Sequence, residues 1–263
     1  MKVVLFCGGL GTRLRDSTGE VPKPMVKIGY RPILWHVMKY YAHFGHKDFI
    51  LCLGYKAEVI KEFFLRYEEW ISNDFTLSKG GQHLELENND IEDWHITFID
   101  TGLHANIGER LVAVRKYVED DEMFLANYSD GLTDANLPKM VDTFTATDKV
   151  ASFIAVPPSQ SFHLVDVSAE GDVYGMRPVG DAGLLINGGY FVMRRQIFDY
   201  IQPGEELVVE PFARLIRERK LLGYRYDRFW CMDTFKEQQQ LTDLFNGGCA
   251  PWEVWKRDRT LAR

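Results

Sequence analysis

Five apolar residues stand in a row at Val3–Cys7 and run directly into Gly8 and Gly9. Successive side chains of a strand point to opposite faces, so an unbroken apolar run predicts a strand buried on both sides. Such a strand belongs inside a sheet that is covered front and back, as parallel sheets are. The segments that follow supply the covers. PILWHVMKYYAHFG (32–45) carries apolar residues at helical spacing and ends in glycine. DFILCLG (48–54) is a second buried strand, and AEVIKEFFLRYEEWI (57–71) a second amphipathic helix. Strand, helix, strand, helix predicts a parallel sheet with right-handed crossovers.

Beyond this core the pattern loosens. The stretch 72–95 is polar and rich in Gly, Asn and Asp, with one alternating run from His83 to Glu87; it reads as an excursion, a hairpin or a lid. Strands are expected at 96–102, at 122–134 with an acidic end, over KVASFIAV, over GGYFVMR and over LGYRYDRFW. Helices are expected at 109–118, over LPKMVDTFTAT, over EPFARLIRERK and over the closing DTFKEQQQLTDLFNGG. Alternation between Ser161 and Met176 predicts an antiparallel hairpin turning at Glu170-Gly171. No repeat, linker or low-complexity tract divides the chain, so one domain over 1–263 is the expectation.

The net charge of −7 argues against non-specific nucleic-acid binding but leaves room for an anionic substrate held by a few local cations. No apolar run reaches the roughly 20 residues a membrane-spanning helix needs, and the N-terminus lacks the features of a signal peptide. Cys7, Cys52, Cys231 and Cys249 form no CxxC pair. Cys7 and Cys52 read as small core residues. The expectation is a reduced, cytoplasmic protein without structural zinc.

GGLGTR, residues 8–13, lies where the first strand ends. The P-loop spacing is absent, and the dinucleotide fingerprint fails because Leu14 stands where its third glycine belongs. A turn needed only for geometry explains one glycine. Three glycines followed by Thr12 and Arg13, with Lys23 between Pro22 and Pro24, suggest backbone N–H groups and two cations arranged around phosphates. A helix starting there adds its dipole.

GGLGTRL followed by PKPM resembles the signature of the sugar-1-phosphate nucleotidyltransferases. The remainder is most similar to their glucose-1-phosphate cytidylyltransferase branch, through KPMVKIGYRPILWHVMKYY, DTG, YSDG, INGGYFV, EPF, FWCMDT and APWEVW. The resemblance covers nearly the whole chain. It implies a Rossmann-like α/β fold of the nucleotide-diphospho-sugar transferase type, a mostly parallel mixed sheet flanked by helices. The part from about 157 to 263 then belongs to the sugar side. It also implies the reaction, in which a sugar-1-phosphate oxygen attacks the α-phosphorus of a nucleoside triphosphate and pyrophosphate leaves. Positioning and charge neutralisation suffice for this chemistry, so no protein nucleophile is needed.

By the same resemblance, Asp130 of YSDG and Asp233 of CMDT bind Mg²⁺. On sequence alone, Asp130 also fits a turn and Asp233 a helix N-cap. Arg13 contacts the β and γ phosphates, and Lys23 the α-phosphate; with Asp130 they form the catalytic set. Gly8, Gly9, Gly11 and Thr12 contact the nucleotide, and Thr101, Gly102 and Gly108 lie where the base is met. Tyr128, Arg177, Asn187 and Gly188 fall on the sugar side, with a tight turn as the other reading of Asn187-Gly188.

Two positions depart from the family. IGERL (107–111) replaces a TGGRL-like stretch, putting Ile107 and Glu109 where a hydroxyl residue and a glycine are usual. Met176-Arg177-Pro178 replaces Glu-Lys-Pro. Arg177 can still grip a phosphate bidentately, but Met176 cannot accept from a sugar hydroxyl, which points to a less polar acceptor. His163 reads as a satisfied histidine, not a catalytic one. The leading expectation is CTP and glucose-1-phosphate converted to CDP-glucose with Mg²⁺. UTP, dTTP or a non-glucose phosphate is the alternative, and a catalytically silent nucleotide-sugar-binding module a further one. The resemblance implies a homo-oligomer, a hexamer in the glucose-type enzymes, with Trp252 and Trp255 either meeting a neighbour or packing on their own domain.

Overall fold

The structure is a computed structural model that describes residues 1–9, 21–159 and 162–256. Seven strands build the central sheet: β1 Val3–Phe6, β2 Asp48–Leu53, β3 His95–Asp100, β4 Met123–Asn127, β5 Ala151–Val156, β6 Ile186–Arg194 and β7 Leu221–Arg225. Their order is β7-β5-β6-β4-β1-β2-β3. β1 pairs parallel with β2 and β4, β2 with β3, and β5 with β7. β6 alone runs against the sheet, between β4 and β5. The sheet is therefore mostly parallel, as expected.

The double-sided apolar run explains itself in the packing. Val3 and Leu5 point to one face with Phe49 and Leu51, where they meet Ile33, Leu34, Val37 and Met38 of α1 (Ile33–His43). Val4 and Phe6 point to the other, with Ile50 and Cys52. There they meet Leu111 of α3 (Ile107–Ala113) and Leu215 of α5 (Glu210–Arg217). α2 (Ala57–Leu65), α4 (Leu137–Thr145) and α6 (Phe235–Asn246) add Ile60, Met140, Phe144 and Leu241 to the first face.

Several expected elements are broken, each for a visible reason. The helix expected over 57–71 stops at Leu65, and a short 3₁₀ turn follows at Glu69–Ile71. The break lets Tyr67 turn onto the Arg31 guanidinium, 4.1 Å from its ring centre. The helix expected at 109–118 begins earlier, at Ile107, and gives way to a 3₁₀ turn at Arg115–Tyr117. The strand expected at 122–134 ends at Asn127 because Ser129 takes φ +65°. The strand expected over LGYRYDRFW splits at Tyr226–Arg228. Tyr226 and Arg228 there bind Asp134, at 2.8 and 2.5 Å, and Phe229–Cys231 leaves the main sheet to pair with Gly131–Thr133.

Within 72–95 lies a two-stranded hairpin, Phe75–Ser78 with His83–Leu86. The second hairpin pairs His163–Val167 with Val173–Pro178 and turns at Ala169-Glu170, one residue before the expected turn. His163 is exposed on it. Trp252 is buried at 1% exposure and packs 5.8 Å from Trp230 on its own chain; Trp255 lies 5.8 Å from Trp35.

Candidate active site

In open parallel sheets ligands bind outside the carboxyl ends of the strands, where the strand order reverses. Here β1, β2 and β3 progress in one direction and β4 returns to the other side of β1, so the crevice opens between β1 and β4. Gly8 and Gly9 follow β1 there, and Tyr128, Ser129 and Asp130 follow β4.

The turn after β4 is held in a conformation that a non-glycine residue seldom adopts. The Ser129 N–H donates to Asn127 Oδ1 at 2.7 Å, and its hydroxyl donates to the Phe6 carbonyl at 2.8 Å. Asp130 follows, then Gly131–Thr133 pairs antiparallel with Phe229–Cys231. Gly131 is required, because a Cβ there would lie 2.5 Å from the Phe229 ring. This small ladder carries the chain to Asp233 beside Asp130. The helix N-cap is Thr234 and not Asp233: Thr234 and Glu237 form a capping box, and the Asp233 N–H donates to Glu237 Oε2 at 2.8 Å. The Asp233 carboxylate is thus left to face Asp130.

Lys23 enters from a 3₁₀ turn whose backbone is fixed by Pro22 and Pro24, with Met25 anchored in the core. Its ammonium donates to Asp130 Oδ2 at 2.7 Å and also to Asp233 Oδ1. Three residues separated by 107 and 210 positions along the chain thus meet at one point. Burial opposes the lysine charge, but the two carboxylates outweigh it and raise the Lys23 pKa. Burial raises the Asp130 pKa; Lys23 pulls it down, Asp233 pushes it up, and the net result stays above the ordinary carboxylate range.

On the β1–β3 side a buried cation organises the edge. Arg110, 2% exposed, donates to the Gly8 carbonyl at 3.1 Å, the Leu53 carbonyl at 3.0 Å and the Thr101 hydroxyl at 2.6 Å. One guanidinium ties the ends of three strands. Gly8 gives it room, since a Cβ there would lie 2.1 Å from Nη1. The Thr101 hydroxyl in turn donates to the Leu53 carbonyl at 2.8 Å. Gly102 has φ +95° and its N–H meets Asp100 at 3.0 Å. Gly108 lets α3 approach the chain at Glu205, whose carbonyl would lie 2.2 Å from a Cβ. Glu109 closes a capping box with Asn106. Arg110 escaped sequence reasoning; an arginine amid the apolar positions of IGERLVAV was the available signal.

On the β4–β6 side, Asn187 donates to the Tyr128 hydroxyl at 3.3 Å and accepts from the Gly189 N–H at 2.9 Å; it lies within β6, opposite Ala155 where the pairing with β5 shifts register, and not in a tight turn. Gly188 packs against Ile154. Arg177 pairs with Asp166 across the second hairpin at 2.5 Å, and Met176 stands 65% exposed opposite Val165. Gly11, Thr12 and Arg13 lie outside the described residues. Burial raises the Cys7 thiol to about 12 and the Cys231 thiol to about 11, so neither is poised as a nucleophile.

The nucleotidyl transferase family profile matches residues 2–230. The glucose-1-phosphate cytidylyltransferases of Salmonella typhi and Salmonella typhimurium are each 40% identical over 260 residues, covering 97% of this chain and 100% of each relative. Among solved structures, a UTP-bound UGPase from Acinetobacter baumannii superposes with a TM-score of 0.65 at 17% identity, over 100% of this chain and 98% of that one, which shows the shared fold. A parallel sheet with its crevice at β1/β4, and likeness from end to end, place the chain in the nucleotidyl transferase family, in the branch of the glucose-1-phosphate cytidylyltransferases.

Proposed function

We propose that the protein transfers the cytidylyl group of CTP to glucose-1-phosphate, with Mg²⁺ as cofactor, forming CDP-glucose and pyrophosphate. The observation that carries this reading is the convergence of Lys23, Asp130 and Asp233 at the mouth of the β1/β4 crevice. End-to-end likeness to cytidylyltransferases supports the choice of substrates.

The two carboxylates fit a hard divalent ion, which takes one or two protein carboxylates and completes its shell with phosphate and water oxygens. A cationic group already lies between them. Asp130 and Asp233 would hold the Mg²⁺, and when bound the ion neutralises charge on the phosphates. The remaining work falls to the chain. Lys23 neutralises the α-phosphate as the sugar phosphate oxygen attacks; the bond to α-phosphorus forms as the bond to the β-phosphate oxygen breaks. Pyrophosphate leaves with the electron pair, and Arg13 meets its charge. Gly8, Gly9, Gly11 and Thr12 border the triphosphate, Thr101, Gly102 and Gly108 the base, and Tyr128, Arg177, Asn187 and Gly188 the sugar. Residues 1–263 act as one domain, the part from about 157 serving the sugar side.

Pyrophosphate release across CTP, UTP and dTTP, each paired with a panel of phosphorylated acceptors and Mg²⁺, tests the reading. CTP with glucose-1-phosphate is expected to be fastest. The exposed Met176 favours one variation, a deoxy or otherwise less polar acceptor, and a higher rate with such a phosphate would replace glucose-1-phosphate. If no pair turns over while nucleotide sugar still binds, the protein is a silent binding module.

We also propose a cytoplasmic homo-oligomer, a hexamer by the resemblance. Two hairpins support it by presenting exposed apolar faces, Phe75, Leu77 and Leu84 on one and Val165, Val167 and Met176 on the other. No helix among the described residues is long and apolar enough to cross a membrane. Native mass spectrometry decides the assembly.

A further inference from the structure

We propose that Lys23 is a resident counter-ion that keeps the Asp130–Asp233 pair from taking up free divalent metal, so that metal enters only together with nucleotide. The proposal rests on the reading of those two aspartates as the metal-holding pair.

The geometry sets up a competition for the same oxygens. The Lys23 ammonium holds Asp130 Oδ2 at 2.7 Å and also Asp233 Oδ1, one oxygen of each carboxylate. A divalent ion seated on those oxygens must displace the ammonium. An ion seated on the remaining oxygens stands a few ångströms from a like charge in a partly buried place, where such repulsion is costly. Among the described residues no group of three or more His, Cys, Asp or Glu is placed to hold a metal. Two carboxylates already sharing a cation make a weak site for a bare ion, and the other ligands must come from phosphate and water.

The parts that stay still and the part that can move are well separated. Asp130 is positioned by the hydrogen-bonded Ser129 turn, and its carbonyl accepts from the Met232 N–H at 3.2 Å. Asp233 is positioned by its N–H on Glu237. The Lys23 backbone is fixed between two prolines and a buried Met25, while its four-carbon stem can pivot. Its ammonium leaves two carboxylates only for another anion, and a triphosphate in the crevice supplies one. In that exchange phosphate takes the lysine and the aspartates take the metal, so no buried charge is left unpaired at any stage. Lys23 thereby acts twice: it preserves the aspartate pair, and on release it stands at the α-phosphate.

The test measures Mn²⁺ binding to the full chain by electron paramagnetic resonance, with and without a non-hydrolysable CTP analogue. Without nucleotide, Lys23→Gln is expected to bind Mn²⁺ at least about tenfold more tightly than wild type, the factor carried by a direct cation competitor. The analogue is expected to tighten Mn²⁺ binding to wild type by a similar factor and to do much less for Lys23→Gln. Adding Asp233→Asn to Lys23→Gln should erase the gain. Thermal melting gives a second readout that works even if Lys23→Gln folds poorly alone: Mn²⁺ should raise the Tm of Lys23→Gln and leave that of nucleotide-free wild type nearly unchanged. Equal Mn²⁺ affinity in the two proteins, a gain that survives Asp233→Asn, or a Mn²⁺-dependent Tm in nucleotide-free wild type overturns the proposal. Pyrophosphate release by wild type is independent of these readouts: release with equal Mn²⁺ affinities sinks the counter-ion role alone, and a tenfold gain without release sinks the proposed reaction alone.

Discussion

Of the lysine–aspartate pairs in this chain, Lys39–Asp90 and Lys23–Asp130 hold aspartates whose pKa values move in opposite directions. Burial pushes both aspartates up. Around Asp90 that push is outweighed. Lys39 donates at 2.6 Å, the Tyr67 hydroxyl at 3.0 Å and the Ser72 hydroxyl as well, with the Arg31 guanidinium 3.9 Å away, and the carboxyl is held below its usual range. Glu69 adds two bonds to the backbone N–H groups of Asp90 and Ile91, at 2.7 and 3.1 Å. Among the described residues Asp130 pairs with one cation, Lys23, shares it with Asp233, and stays raised. A carboxylate with hydrogen bonds to both oxygens fastens a segment, here the one that carries the first hairpin. A carboxylate kept short of partners beside a like charge holds unspent demand for a cation, the condition typical of functional sites.

The largest effect that could break this contrast is on turnover. Asp130→Asn is expected to lower kcat by about 10³-fold or more, the scale of losing one preorganised electrostatic contact to a transferring phosphoryl group. Its unfolding free energy in urea should not fall, because the carboxylate charge works against the fold. Loss of stability with kcat retained would assign Asp130 to structure. Asp90→Ala is expected to do the reverse. It strands Lys39 and the largely buried Arg31, and should cost about 3–5 kcal/mol in urea unfolding, the usual result of breaking one partner from a buried ion pair. At a temperature where the variant remains folded, kcat should stay near wild type. A fall in kcat to the level of Asp130→Asn would show that the two regions are not separate in function.

How much of this was legible in the sequence follows from how local each cause is. The run at Val3–Cys7 announced a strand covered on both faces because side-chain alternation is a property of the strand alone. Lys23, Asp130 and Asp233 were legible through short motifs, PKPM, YSDG and CMDT, and the fold brings them to one point. What stayed hidden depends on partners far along the chain. Gly8 is flanked by the Arg110 guanidinium, 102 residues away, and nothing in GGLGTR states that. Tyr67 ends a helix because Arg31 and Asp90 require it elsewhere. That the N-cap is Thr234, held by Glu237, and not Asp233, which also fitted a cap, shows only in the fold. Arg177 matched a phosphate-binding lysine, yet its guanidinium meets Asp166.

A pH effect sharpens the comparison from a third side, since α1 carries His36 as well as Lys39. His36 is fully buried; its Nε2–H donates to the Ile28 carbonyl at 3.1 Å, and Nδ1 accepts from the Trp252 indole at 3.4 Å. Both nitrogens are satisfied only in the neutral ring, and burial lowers the pKa to about 4. The unfolded histidine binds its proton near pH 6.5, so between there and pH 4 the unfolded state holds more protons and the fold loses stability on acidification. The loss should total about 3 kcal/mol, at about 1.4 kcal/mol per pH unit. It should shrink in a His36→Gln variant that remains folded, leaving the part that belongs to His46, whose pKa burial and the N-terminal ammonium also lower to about 4. An undiminished acid limb in that variant would take the cause away from His36.

The smallest effect carries the most direct sign. Asp90 has a folded pKa below its unfolded one, so its contribution is present above the unfolded pKa and is lost as pH falls through the folded one. Asp130 has a folded pKa above its unfolded one, so its ionised form costs stability at neutral pH, and the cost is relieved as pH falls through the folded value. Urea unfolding of wild type, Asp90→Asn and Asp130→Asn at pH 7 and at successively lower pH separates the two. His36 is common to all three proteins and cancels in the differences. At pH 7 Asp90→Asn should lie below wild type and Asp130→Asn above it, and acidification should bring both variants toward wild type from opposite sides. Two variants converging from the same side would mean that Lys23 satisfies Asp130 as fully as Lys39, Tyr67 and Ser72 satisfy Asp90, and the distinction between a fastening carboxylate and a waiting one would be lost.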